Sequence, residues 1–210
     1  MSLQSTLILV RHGESLANRE GRFTRHDDEP LTATGVEQAR ETGRRLRDLY
    51  APVALYSSPF ARALHTAHEI GAFFGLEPEV ERELHEQGFG ELRGRTYVEY
   101  YPAVAAVAEL DRWHHRAPGG ESLADVRRRV GPVLDRIAGR HGGQQVIVVS
   151  HGGVMAALRA HAAGNFDRPP ESTVHAGGFL LHATASGGYR GPLPLFREAA
   201  AALDRAAAAE

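Results

Sequence analysis

Residues 6–15 read Thr6-Leu7-Ile8-Leu9-Val10-Arg11-His12-Gly13-Glu14-Ser15. The run up to Val10 is short, apolar and free of polar alternation, which predicts a strand buried on both faces. A second such run, Gln145–Val149, ends in Ser150-His151-Gly152-Gly153. Val53–Ser57 and Gly178–Ala183 are further candidate strands. Between them the apolar positions take helical spacing: Val36, Ala39, Gly43, Leu46 and Leu49; Phe60, Leu64, Ala67, Ile70 and Phe74; Leu123, Val126, Val130, Val133 and Ile137; then Val154 to about Ala163. Thr34 with Glu37, and Ser122 with Asp125, are set as helix-opening caps, and Pro59 precedes a third opening. Strands alternating with helices predict an α/β three-layer sandwich, with a mostly parallel central sheet flanked by helices. Ligands of such sheets bind beyond the carboxyl ends of the strands. Three predicted strands end there in polar groups: Arg11-His12-Gly13, Ser57-Ser58 with Arg62, and Ser150-His151-Gly152.

Composition narrows the chemistry. The 210 residues are 42% hydrophobic and 24% charged, with a net charge of -2, which suits one globular domain over 1–210. We expect an insertion at about 94–120 and an Ala-rich tail at about 198–210. No apolar run approaches the ~18 residues of a bilayer span, and Arg is dispersed along the chain, so neither a membrane nor a nucleic acid is an expected partner. Met1–Thr6 lack a positive cluster ahead of an apolar stretch, which argues against a signal peptide and for a cytoplasmic protein. There is no Cys and no Lys. Thiolate nucleophiles, Schiff-base lysines and phosphate-loop lysines are thereby excluded.

Twelve histidines remain to be sorted. His12 and His151 each follow a strand and precede a Gly, and with Arg11 and Arg62 they would form a compact cationic pocket for a phosphate dianion. His65 and His68 are spaced for a metal pair but have no third ligand nearby, and read as a solvated face. His114-His115-Arg116 are assigned to the substrate entrance. His26, His85, His141, His161, His175 and His182 are given structural roles.

Five segments, in order, resemble motifs of the histidine phosphatase superfamily, which includes cofactor-dependent phosphoglycerate mutase. They are Leu9-Val10-Arg11-His12-Gly13-Glu14-Ser15 with Asn18; Ser57-Ser58-Pro59-Phe60-Ala61-Arg62-Ala63 with Thr66; Glu86-Gln87-Gly88-Phe89-Gly90-Glu91-Leu92-Arg93-Gly94; Pro118-Gly119-Gly120-Glu121-Ser122; and Ser150-His151-Gly152-Gly153. The resemblance implies a phosphoglycerate mutase-like fold and a phosphohistidine formed on His12. It implies that Arg11, Arg62 and His151 hold the phosphoryl oxygens with help from Asn18, and that Glu86 moves the proton. Thr24, Arg25, Phe89 and Gly152 complete the expected substrate-binding set, and neither metal nor cofactor is expected. Only 31 residues separate Glu86 from Pro118, none of them Lys. Where mutases of this family typically carry Gly, Tyr and Asn, this chain has Arg25, Phe89 and Gly153. The expectation is therefore a phosphatase acting on a small phosphorylated metabolite, with a mutase and a catalytically silent binding protein as the alternatives. A homodimer is compatible with the family, whose members range from monomers to larger assemblies.

Overall fold

The structure, a computed structural model, describes residues 3–196; the Ala-rich stretch at 198–210 lies outside them. In chain order the elements are β1 (Leu3–Arg11), α1 (Leu16–Arg19), α2 (Ala33–Arg47), β2 (Ala54–Ser57), α3 (Ala61–Gly71), β3 (Glu79–Val80), α4 (Tyr97–Ala105), α5 (Leu123–Arg140), β4 (Gln144–Ser150), α6 (Gly152–Ala163), β5 (Gly178–Thr184) and β6 (Tyr189–Pro194). The strands form one sheet in the order β3-β2-β4-β1-β5-β6. It is parallel from β3 through β1 and antiparallel at β5 and β6.

The period-2 alternation of strand side chains divides the core into two layers. Leu7, Leu9, Val146 and Val148 face α5 and α6, meeting Val130, Leu134, Ile137, Met155 and Leu158. Ile8, Val10, Ile147 and Val149 face α2 and α3, meeting Leu46, Ala63, Ala67 and Ile70. This is the expected three-layer sandwich, and both central strands are apolar on both faces because each face is covered by a helix layer.

Two caps show how local sequence and tertiary context share the outcome. Ser122 and Asp125 form a reciprocal capping box at α5. At α2 the cap is Thr32 and not Thr34: Thr32 Oγ1 accepts from Gly35 N at 3.0 Å and donates to Glu14 Oε1 at 2.6 Å. Glu37 instead pairs with Arg40 across one turn. Leu49 falls beyond the end of α2 and is exposed. α6 begins at Gly152, two residues before the expected Val154, with His151 as its N-cap. The 94–120 segment carries α4, opened by a Thr96–Glu99 capping box, and a short 3-10 turn at Leu110–Trp113. Among the described residues no helix is long and apolar enough to cross a membrane.

Candidate active site

Strand register brings the three polar strand ends together. Arg11 pairs with Ser150 across β1 and β4, and Ser57 pairs with Val149 across β2 and β4. His12, Ser58 and His151 therefore leave the sheet side by side at the carboxyl edge, and His12 N donates to Ser150 O at 2.9 Å.

His12 is buried, and its Nδ1 lies 2.7 Å from Gly13 O. A carbonyl only accepts, so Nδ1 carries the proton and Nε2 keeps its lone pair. Arg62 Nε donates to that Nε2 at 3.2 Å. Burial first, then the positive charges of Arg62 and Arg11, hold the His12 pKa well below the ordinary value of 6.5. The imidazole is neutral at physiological pH. His151, also buried, lies with its ring centroid 5.1 Å from that of His12 and its Nε2 2.7 Å from Ser58 Oγ. Its pKa too is held well below 6.5 by burial, then by Arg62, His12 and Arg11.

Arg62, in the first turn of α3, is 2% exposed, and its Nη1 meets no hydrogen-bond partner among the described residues. A buried guanidinium with a spare donor is a ready ligand for an anion. Arg11 donates from Nη1 to Thr173 O at 2.5 Å. A Cβ added at Gly152 would lie 3.5 Å from the Arg11 Cζ, so this glycine flanks the guanidinium.

Glu86 is 8% exposed, and its Oε1 accepts from Gln87 N at 2.8 Å and from Gly153 N, in the first turn of α6, at 3.1 Å. A helix start offers unpaired N–H groups, and here one fixes the carboxylate. A Cβ at position 153 would come within 2.7 Å of that oxygen, so a larger residue there would make the Glu86 side chain shift.

Arg11, His12, Asn18, Thr24, Arg62, Glu86, Phe89 and Gly153 line one chamber of about 180 Å³, together with Phe23, Gln87 and Tyr97. Asn18 is held there by hydrogen bonds with Ser15 and by donating to Tyr97 Oη at 3.4 Å. A second chamber of about 520 Å³ shares Thr24, Arg62, Glu86, Gln87 and Phe89 with the first and adds Asp27, Pro59, Phe60, Arg82, His85, Gly88 and Arg93 to its wall. Arg25 is not brought to either: its exposed side chain lies against Gly94. His114 and Arg116 line a separate cleft of about 560 Å³ with Arg127, Arg128, His161 and Phe166, away from His12. His115 packs near the Tyr100 ring at 5.9 Å.

Sequence reasoning set Ser58 at the strand-end edge without giving it a partner, and missed Gln87, Tyr97, His85 and His175 as site residues. His175, assigned a structural role, sits with its ring 6.3 Å from that of His12; burial and then Arg11 lower its pKa to about 4. Its neighbour Ala176 donates to His12 O at 3.2 Å, which anchors the segment. His141, His161 and His182 take structural partners in Tyr56, Asp135 and Thr6. His65 and His68 are exposed and face Glu69 and Glu77. Among the described residues no three His, Cys, Asp or Glu side chains gather as a metal cage.

The sequence profile of the histidine phosphatase superfamily (branch 1) matches residues 7–176. A metal-independent phosphoserine phosphatase of Arabidopsis thaliana is 33% identical over 179 residues, covering 80% of this chain and 75% of that protein. A 2,3-bisphosphoglycerate-dependent phosphoglycerate mutase of Methylobacterium radiotolerans is 36% identical over 170 residues, 74% of this chain and 78% of that one. Among solved structures, native mycobacterial glucosyl-3-phosphoglycerate phosphatase superposes with a TM-score of 0.79 at 25% identity, over 90% of this chain and 97% of that chain. With the fold, the strand-end motifs and phosphatases and mutases alike among its relatives, the chain belongs to the histidine phosphatase superfamily, branch 1.

Proposed function

We propose that the protein is a phosphatase that hydrolyses a small phosphomonoester through a phosphohistidine on His12, with no metal taking part. The observation that carries this reading is the state of His12: Nδ1 is committed to Gly13 O, and the neutral ring keeps its lone pair on Nε2, where Arg62 Nε donates at 3.2 Å, in the wall of a chamber whose positive charge comes from Arg11 and Arg62. In the first step Nε2 attacks phosphorus and the ester P–O bond breaks, while Glu86, entering the step as the carboxylic acid, hands its proton to the departing oxygen and is left as the carboxylate. Arg11, Arg62 and His151 hold the phosphoryl oxygens as charge spreads over them, and Asn18 adds a donor. In the second step Glu86 takes a proton from water, the hydroxide oxygen attacks phosphorus, and the P–N bond breaks to release phosphate and free His12.

Hydrolysis is favoured over a mutase reaction by what surrounds the phosphoryl site. A mutase must shield its phosphohistidine from water, and this chain lacks the long basic segment that would close over it. Phe89 offers no hydroxyl to the chamber, and Gly153 offers no polar side chain beside Glu86. The leaving group would occupy the second chamber, between the apolar Pro59, Phe60 and Phe89 and the charged Arg82, Arg93 and Asp27, the last two paired at 3.5 Å.

The test is phosphate release from a panel of phosphomonoesters that includes phosphoserine and 3-phosphoglycerate, in excess chelator, for wild type beside His12→Ala. Release should persist in chelator and fall by roughly 10⁴-fold or more in the variant. Loss of release in chelator would overturn the metal-free step. Interconversion of phosphoglycerates without net release would identify a mutase, and no turnover of any ester would identify a binding protein.

A further inference from the structure

The loop that carries Glu86 is held from behind by an ion pair outside the reaction chamber. Arg129, on α5, has a side chain only 11% exposed. Its Nε donates to Glu121 Oε1 at 3.1 Å and its Nη2 to Glu121 Oε2 at 2.9 Å, a two-pronged pair. The remaining donors go to loop carbonyls: Nη1 to Glu83 O and, at 3.0 Å, to His85 O, and Nη2 to Glu86 O at 3.5 Å. The five N–H groups of the guanidinium thus meet five acceptors. Glu121 holds the other half of the loop. Its Oε2 accepts from Gly88 N at 2.8 Å, its N donates to Gly88 O at 2.7 Å, and its O accepts from Gln87 Nε2 at 2.7 Å. Burial pushes the Glu121 carboxyl up, but Arg129 and the Gly88 N–H outweigh it and keep the group below the usual carboxylate range. The pair stays charged.

None of these bonds reaches His12, Arg62 or His151, which hang on β1, α3 and β4. We infer that Arg129 and Glu121 are positioning residues for the proton transfer: as one unit they fix the backbone from Glu83 to Gly88, and so set the Glu86 carboxylate against Gly153 and over the phosphoryl chamber. The inference rests on the reading of Glu86 as the proton donor. Lys cannot replace Arg129, because an ammonium has three donors and no fork with which to hold a carboxylate and three carbonyls together.

The experiment is a single-turnover measurement of alcohol release, enzyme in excess, from p-nitrophenyl phosphate and from phosphoserine. It compares wild type, Arg129→Lys, Glu121→Gln, Glu86→Gln and Arg129→Lys/Glu86→Gln. An aryl leaving group needs little protonation and an alkoxide needs it fully. Arg129→Lys should slow phosphoserine by roughly 10- to 100-fold and p-nitrophenyl phosphate by less than about threefold, and should add nothing in the Glu86→Gln background. Glu121→Gln should show the same split and carries the test if Arg129→Lys does not fold. Equal losses on both esters, or losses that multiply with Glu86→Gln, would overturn the inference and leave the pair a structural brace. Equal slowing of both esters by Glu86→Gln itself would remove Glu86 as the acid, and the clamp's role with it.

Discussion

His12 has every hydrogen-bonding group engaged by the protein. Its N–H goes to Ser150, its carbonyl to Ala176 and its Nδ1 to Gly13, which leaves Nε2 as the atom that can change partners. Burial and two guanidinium groups favour the neutral ring, and the neutral ring is the form that can attack phosphorus. With an aryl ester, kcat/KM should therefore run level through pH 6.5, with its acid limb well below that value; an inflection near 6.5 that follows His12 protonation would contradict the burial argument. Much of this was legible in the sequence, because His12, Arg62, Glu86 and His151 stand in local motifs whose order survives folding. His175 was not. It reaches His12 through the pairing of β5 with β1, a contact between residues far apart in sequence that no local pattern announces. Gly153 was legible as a departure from the mutase pattern, but its closeness to Glu86, whose Oε1 lies 2.7 Å from where a Cβ would stand, needed the fold.

At the scale of elements, the strands that carry the site were the most readable parts, since β1 and β4 are continuous apolar runs. β3, two residues long, and β6, broken by Gly191 and two prolines, have no such run. Their pairing comes from neighbours already in place. The sequence points to Thr34 as the α2 cap, but Thr32, which precedes the same apolar spacing, takes that place and also donates to Glu14, a contact that local spacing does not announce. α2 begins where two backbones touch: a Cβ at Gly35 would lie 2.1 Å from Glu14 O, and one at Gly13 would lie 2.3 Å from Gly35 O. Neither neighbour is a flexible side-chain tip. Gly35→Ala should cost about 1–3 kcal/mol or more in denaturant unfolding and depress turnover by displacing the loop after β1. Gly139→Ala, in α5 with nothing within 4 Å, should be neutral or gain up to about 1 kcal/mol. Equal effects of the two substitutions would show that the crossing is not tight.

For the whole molecule the net charge of -2 says little about pH, whereas three imidazoles with lowered pKa values say more. The unfolded chain takes up protons on these histidines near pH 6.5, while folded His175 refuses one until about pH 4 and His12 and His151 are held well below 6.5. Below 6.5 the unfolded state binds more protons, so stability falls as pH falls towards 4. The midpoint of thermal unfolding should drop between pH 7 and pH 5, and His175→Asn should make that slope shallower. A midpoint unchanged over that range would refute the assignment of these three rings as neutral in the fold. The overall architecture was predictable because both faces of the sheet demand helices, and the antiparallel turn at β5 changes only one edge of it. The two chambers divide the labour spatially: Pro59, Phe60, Arg82, His85 and Arg93 border the outer one alone, while His12 and Arg11 border the inner one alone. Phe60 of the outer wall reaches back, its ring 5.3 Å from that of His151 and 5.2 Å from the Arg62 Cζ. Lineages descending from such a scaffold can trade one alcohol for another by drift at Asp27, Arg82 and Arg93, while a change at Phe60 would be felt by the phosphorus chemistry as well.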